Sequence, residues 1–118
     1  MHIPFRAFAD AQVALEAGKP EVQYLFGSNG EGVNCSERDT GFFERILEKG
    51  STDAVFVGHD HLNNMGIKYR GVDLIYSKSI DYIAYPGISK MAEQRGGTLI
   101  TLAPDGGYSV TQLSCGGK

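Results

Sequence analysis

The sequence predicts an α/β chain with two helices, one strand covered on both faces, and antiparallel hairpins toward its C-terminal end. Three observations predict it. Apolar residues recur at helical spacing over 5–17, an unbroken apolar run at 54–57 follows a second helical pattern, and two pairs of β-prone runs flank tight-turn sequences.

The first helix rests on Phe5, Phe8, Ala11 and Leu15, with Gly18 and Pro20 stopping the run. Pro4 makes Ile3 extended and presets φ for the helix start. Residues 22–26 are a short β-prone stretch. Residues 27–38 carry Gly27, Ser28, Asn29, Gly30, Gly32, Asn34 and Ser36, the chemistry of a long loop, and loops of that length in compact domains tend to be functional. The second helix takes Asp39 or Thr40 as its cap, buries Phe43, Ile46 and Leu47, and ends at Lys49-Gly50.

Ala54-Val55-Phe56-Val57 lacks alternation, which suits a strand covered on both faces. Arg70-Gly71 joins residues 67–69 to 72–76 as a hairpin, and Pro104-Asp105-Gly106-Gly107 joins 98–102 to 108–113. Residues 77–96 carry no clear period; Pro86-Gly87 breaks them, and Lys90 to Gln94 suit one helical turn.

The chain has 118 residues, 42% hydrophobic and 21% charged, and reads as one globular domain or part of one. Its net charge of −3 and the lack of a basic patch argue against nucleic acid as a partner. Its apolar runs are far shorter than a membrane span, and no targeting pattern is visible at the N-terminus. Cys35 and Cys115 stand outside any CxxC or zinc spacing and are expected to be unpaired. A nucleophile elbow and a dinucleotide fingerprint are absent, and the terminal Gly116-Gly117-Lys118 does not make a P-loop.

Chemistry concentrates in the three histidines, His2, His59 and His61. Gly58-His59-Asp60-His61 follows the apolar run directly. In an extended segment residues i and i+2 point the same way, so both imidazoles are expected on one side of a strand's C-terminal edge. Asp60 is expected to point away, either orienting an imidazole or stabilising the loop. His2-Ile3-Pro4 reads as a strand end entering a helix, again at such an edge.

Gly58-His59-Asp60-His61-Leu62-Asn63-Asn64 resembles the GHDHxND segment of calcineurin-like metallophosphoesterases, in the branch related to purple acid phosphatases. His2-Ile3-Pro4 resembles that branch's HIP, and Glu31-Gly32-Val33, Thr40-Gly41-Phe42-Phe43 and Asp53 to Val57 follow in the branch's order. Ile80 to Tyr85 and Arg95-Gly96-Gly97-Thr98 also fall in place.

The resemblance implies that residues 1–118 are the C-terminal part of a metallophosphoesterase domain, half of a four-layer α/β/β/α sandwich. It implies His2 and His59 on one metal ion and His61 on another, with iron, zinc or manganese as divalent or trivalent ions ~3.5–4 Å apart. A hydroxide shared by the two ions would attack a phosphate ester in line. The family's DxH, GDxxD and GNHD/E ligands do not occur in these 118 residues, and Asn64 stands where the branch often has Asp. The expectation is therefore a fragment, inactive or nearly so alone, whose strand 54–57 exposes an edge suited to homo-oligomerisation. The alternatives are a non-catalytic α/β binding module, or a metallohydrolase that brings Glu31 or Asp81 to the His59–His61 pair.

Overall fold

A computed structural model describes residues 1–115, so Gly116-Gly117-Lys118 lies outside the described residues. The order is α1 (Arg6–Glu16), β1 (Val22–Phe26), α2 (Phe42–Lys49), β2 (Ala54–Val57), β3 (Gly66–Tyr69) and β4 (Val72–Tyr76). Two single-turn 3-10 segments follow, Ile88–Lys90 and Ala92–Gln94, then β5 (Gly96–Leu102) and β6 (Tyr108–Ser114). Among the described residues no helix is long and apolar enough to cross a membrane.

Four strands form one sheet in the order β1-β3-β4-β2, and β5 pairs with β6 in a second. β2 lies parallel to β4, whereas β1–β3 and β3–β4 are antiparallel. The period of two divides the larger sheet cleanly. Val57, Ile67, Val72, Leu74 and Tyr76 meet Phe8 and Ala11 of α1 and Phe43 and Ile46 of α2 in one buried cluster. Phe8 meets the Tyr76 ring edge-on and Phe43 stacks on Tyr69.

The opposite face receives the β5–β6 hairpin. Tyr108 packs edge-on against Phe56, its hydroxyl donates to Asp73, and Gln112 Nε2 donates to the Tyr76 carbonyl at 3.1 Å. Phe56 and Val57 thus face different layers, which is why the 54–57 run shows no alternation. The described residues make a helix layer, a four-stranded sheet and a two-stranded sheet. They do not by themselves complete four layers.

β2 is an edge strand, as expected. Met1 nitrogen donates to the Phe56 carbonyl at 2.9 Å and Gly58 N–H donates to the His2 carbonyl at 2.8 Å, so residues 1–2 cover only the end of that edge. Arg70 and Gly71 both have positive φ, 50° and 88°, the I′ geometry that matches strand twist in a two-residue hairpin. One expectation needs correction. The N-cap of α2 is Gly41, at φ 77°, rather than Asp39 or Thr40, because the Asp39 carboxylate accepts the Gly41 N–H at 2.9 Å and spends its oxygen in a turn before the helix.

Candidate metal centre

The C-terminal ends of β2 and β4 open onto a groove of about 450 Å³. His2, His59 and His61 line it together, with Gly58, Ser77, Lys78 and Ser79. The expected gathering of the three imidazoles at one sheet rim is therefore present, although they are 57 residues apart in sequence at the first step. The His2 and His59 ring centroids are 5.2 Å apart, with planes at 86°.

The local backbone differs from the extended His-x-His expected. β2 stops at Val57, His59 adopts φ 75°, and Asp60 N–H donates to the Gly58 carbonyl at 2.9 Å. An i→i+2 bond about a residue at that φ is a tight γ-turn, a strained conformation costing roughly 1–3 kcal/mol outside glycine. Strain of this kind persists only where surrounding contacts over-determine it.

Those contacts come from Asp60. Of its two expected roles it takes the second: it stabilises the loop and orients no imidazole. The residue is 4% exposed and accepts from the Tyr76 hydroxyl at 2.6 Å, Asn34 N at 3.0 Å and Asn34 Nδ2 at 2.7 Å. Burial, with the bond to the Asp60 carboxylate adding to it, pushes the Tyr76 hydroxyl far above the usual tyrosine range, so it remains a donor. Asn63, fully buried, and Asn64 extend the same lock: their Oδ1 atoms accept Glu31 N–H and Ser28 N–H, each at 3.0 Å. The Gly-rich loop 27–34 thus clamps the segment that carries His59 and His61.

His61 is held from its other side. Its Nδ1 lies 2.7 Å from Asp81 Oδ2. The Asp81 carboxylate also accepts the N–H groups of Ile83, Ala84 and Tyr85. Burial opposes its ionisation, but the Ala84 N–H, the His61 ring and the Tyr85 and Ile83 N–H groups outweigh burial and hold the carboxyl well below the usual range. A carboxylate on Nδ1 places the proton there and leaves Nε2 with its lone pair, the arrangement found behind metal-bound imidazoles.

A depressed folded-state pKa contributes stability that is full above the ordinary carboxylate range and is lost as pH falls through that range toward the folded value. In EDTA-treated protein, Asp81→Asn is expected to flatten the dependence of Tm on pH below about pH 4, the unfolded aspartate range. An unchanged acid limb would overturn this assignment.

Both carboxylates considered as ligands for the His59–His61 pair already accept hydrogen bonds, although Glu31 lines a smaller pocket with the two histidines. Asp81 is committed as described, and Glu31 accepts Leu62 N–H through Oε2 and Asn34 Nδ2 through Oε1. Among the described residues no group of three or more His, Cys, Asp or Glu side chains converges as a metal site. Cys35 and Cys115 are free, and burial raises the Cys35 thiol.

Three curated proteins of Arabidopsis thaliana are similar to this chain. "Probable inactive purple acid phosphatase 29" is 36% identical over 59 residues, half of this chain and 15% of that protein. "Probable inactive purple acid phosphatase 14" is 29% identical over 85 residues, 72% of this chain and 19% of that protein. "Probable inactive purple acid phosphatase 28" is 36% identical over 61 residues, 52% of this chain and 15% of that protein. Over part of its length the chain is similar to proteins named as probable inactive purple acid phosphatases. It spans less than a fifth of the length of these relatives. No family model and no solved structure matches it.

Proposed function

We propose that the groove is the histidine side of a metal-dependent phosphoesterase centre, within the C-terminal part of a four-layer α/β/β/α metallophosphoesterase domain. The observation that carries the reading is the pairing of His2 with His59 beside a His61 whose Nδ1 is already committed to Asp81. His2 and His59, with ring centroids 5.2 Å apart, are the pair that would share one ion.

His2 and His59 would hold one ion and His61 the other, with Fe, Zn or Mn as the ions that imidazole suits. Bound ions would supply Lewis acidity toward a phosphoryl oxygen and a nucleophile at neutral pH. The chain's own residues orient the donors. Asp81 fixes the His61 tautomer, Asp60 holds the γ-turn at His59, and the His2 carbonyl binds Gly58. With no carboxylate among the groove's ligands, ion binding by this chain alone is weak and turnover of a phosphate ester is low.

Zinc titration of the full chain, followed by calorimetry and by histidine ring resonances, tests the reading. His59→Ala and His2→Ala are each expected to weaken zinc binding roughly tenfold or more. Glu48→Ala, an exposed partner of Arg45 on α2, is expected to leave it unchanged. Equal zinc affinity in all four proteins would overturn the proposal. That outcome would favour a second reading, a non-catalytic module, which draws support from the word "inactive" in the relatives' names.

A further inference from the structure

The residues that line the groove include a lysine that the metal reading does not use. Lys78 follows β4 and lines the groove between Ser77 and Ser79, yet the residue is only 9% exposed. Its Nζ donates to the Ser114 hydroxyl at 2.6 Å, a neutral partner. Among the described residues no carboxylate forms a salt bridge with it. Four basic residues that are more exposed, Arg6, Arg45, Lys68 and Arg70, pair with Asp10, Glu48, Asp73 and Glu44. The acid in the groove wall, Asp60, gives its oxygens to Tyr76 and Asn34.

A buried ammonium with only a hydroxyl partner lacks a counter-charge, and removing an ion from water without one costs several kcal/mol. An anion entering the groove would supply that charge. Lysine is a point-charge ligand for phosphate, and hydroxyls complete such seats as donors. Ser79 Oγ accepts the Asp81 N–H at 2.9 Å, which leaves its own proton to donate outward.

We infer that Lys78, flanked by Ser77 and Ser79, forms a seat for a phosphoryl oxyanion that operates without metal in the groove the histidines line. The phosphate-ester class of the ligand rests on the proposed function, but the seat itself is testable with every ion removed.

The experiment titrates inorganic phosphate into EDTA-treated full-length chain at constant ionic strength. Amide resonances of residues 77–79 report binding. A saturable shift is expected in the parent protein. Lys78→Met should weaken binding at least tenfold, while Lys78→Arg should stay within about threefold, as one charge-assisted contact of about 1.5–3 kcal/mol requires. His59→Ala should keep phosphate affinity within about threefold, so failure of the metal reading leaves this result standing. Ser114→Ala removes the internal partner of Lys78 without altering a groove residue, and it serves if Lys78→Met does not fold; its affinity should equal or exceed the parent's. The inference is overturned by a non-saturating response, by equal affinity in Lys78→Met, or by a tenfold loss in Ser114→Ala.

Discussion

Gly27→Ala is expected to destabilise the chain by about 3–5 kcal/mol, the range of severe single-site effects. Gly27 has φ 74°, where an L side chain is already strained. An added Cβ would lie 2.2 Å from the Asn64 carbonyl oxygen and 3.1 Å from the Met65 Cα, both backbone atoms. Neither neighbour can swing away, because the two segments are pinned together. Asn64 N–H donates to the Ser28 carbonyl and Gly30 N–H to the Leu62 carbonyl, and Asn29 bridges Asn63. The substitution therefore separates the loop from the histidine-bearing turn. Gly32→Ala is the control, since nothing lies within 4 Å of its added Cβ. Chemical denaturation of both variants decides the point: comparable midpoints for the two would refute the clamp.

Asp60→Ala carries the second large effect, about 2–4 kcal/mol, because it leaves a buried hydroxyl and an amide without acceptors. Tyr76 is 2% exposed and has no solvent to turn to. A loss of that size lowers Tm by roughly 10 °C in a chain of this length. The double variant Asp60→Ala with Tyr76→Phe should recover part of the loss, since the stranded hydroxyl is then absent. Loss of the carboxylate also releases the γ-turn at His59, so zinc affinity should fall along with stability. A Tm within about 3 °C of the parent would show that the lock contributes little.

The regular elements were legible because their signals are local. The 3.6-residue spacing of Phe5, Phe8, Ala11 and Leu15 marks α1, and Lys49-Gly50 marks the end of α2, where Gly50 takes φ 64°. The turn chemistry of Arg70-Gly71 and of residues 104–107 places both hairpins. Strand-then-glycine before His59 was enough to put two imidazoles at a sheet rim. The direction of the backbone there was not legible. Extended geometry is the default after a strand, but Asp60 gains three hydrogen bonds inside the fold by reversing the chain at His59. Those partners lie 16 and 26 residues away and leave no trace in the local pattern.

Asp81 could be suspected from the sequence as a carboxylate near the histidines, yet its task is different. Residues 77–96 have no period to read, and only folding shows that Asp81 collects three backbone N–H groups and the Nδ1 side of His61. Lys78 lies in the same stretch, and nothing in its neighbours signals burial.

Local patterns account for the two helices, the strand at 54–57, both hairpins and the identity of the three imidazoles. Spacing and turn residues act over a few positions, and they suffice for that. Which side chains meet depends on the folded chain: His2 beside His59, Asp81 behind His61, Asp60 turned inward and Lys78 enclosed. Such pairings arise when distant segments bury polar groups that must then find partners, and no short-range pattern encodes the partner chosen.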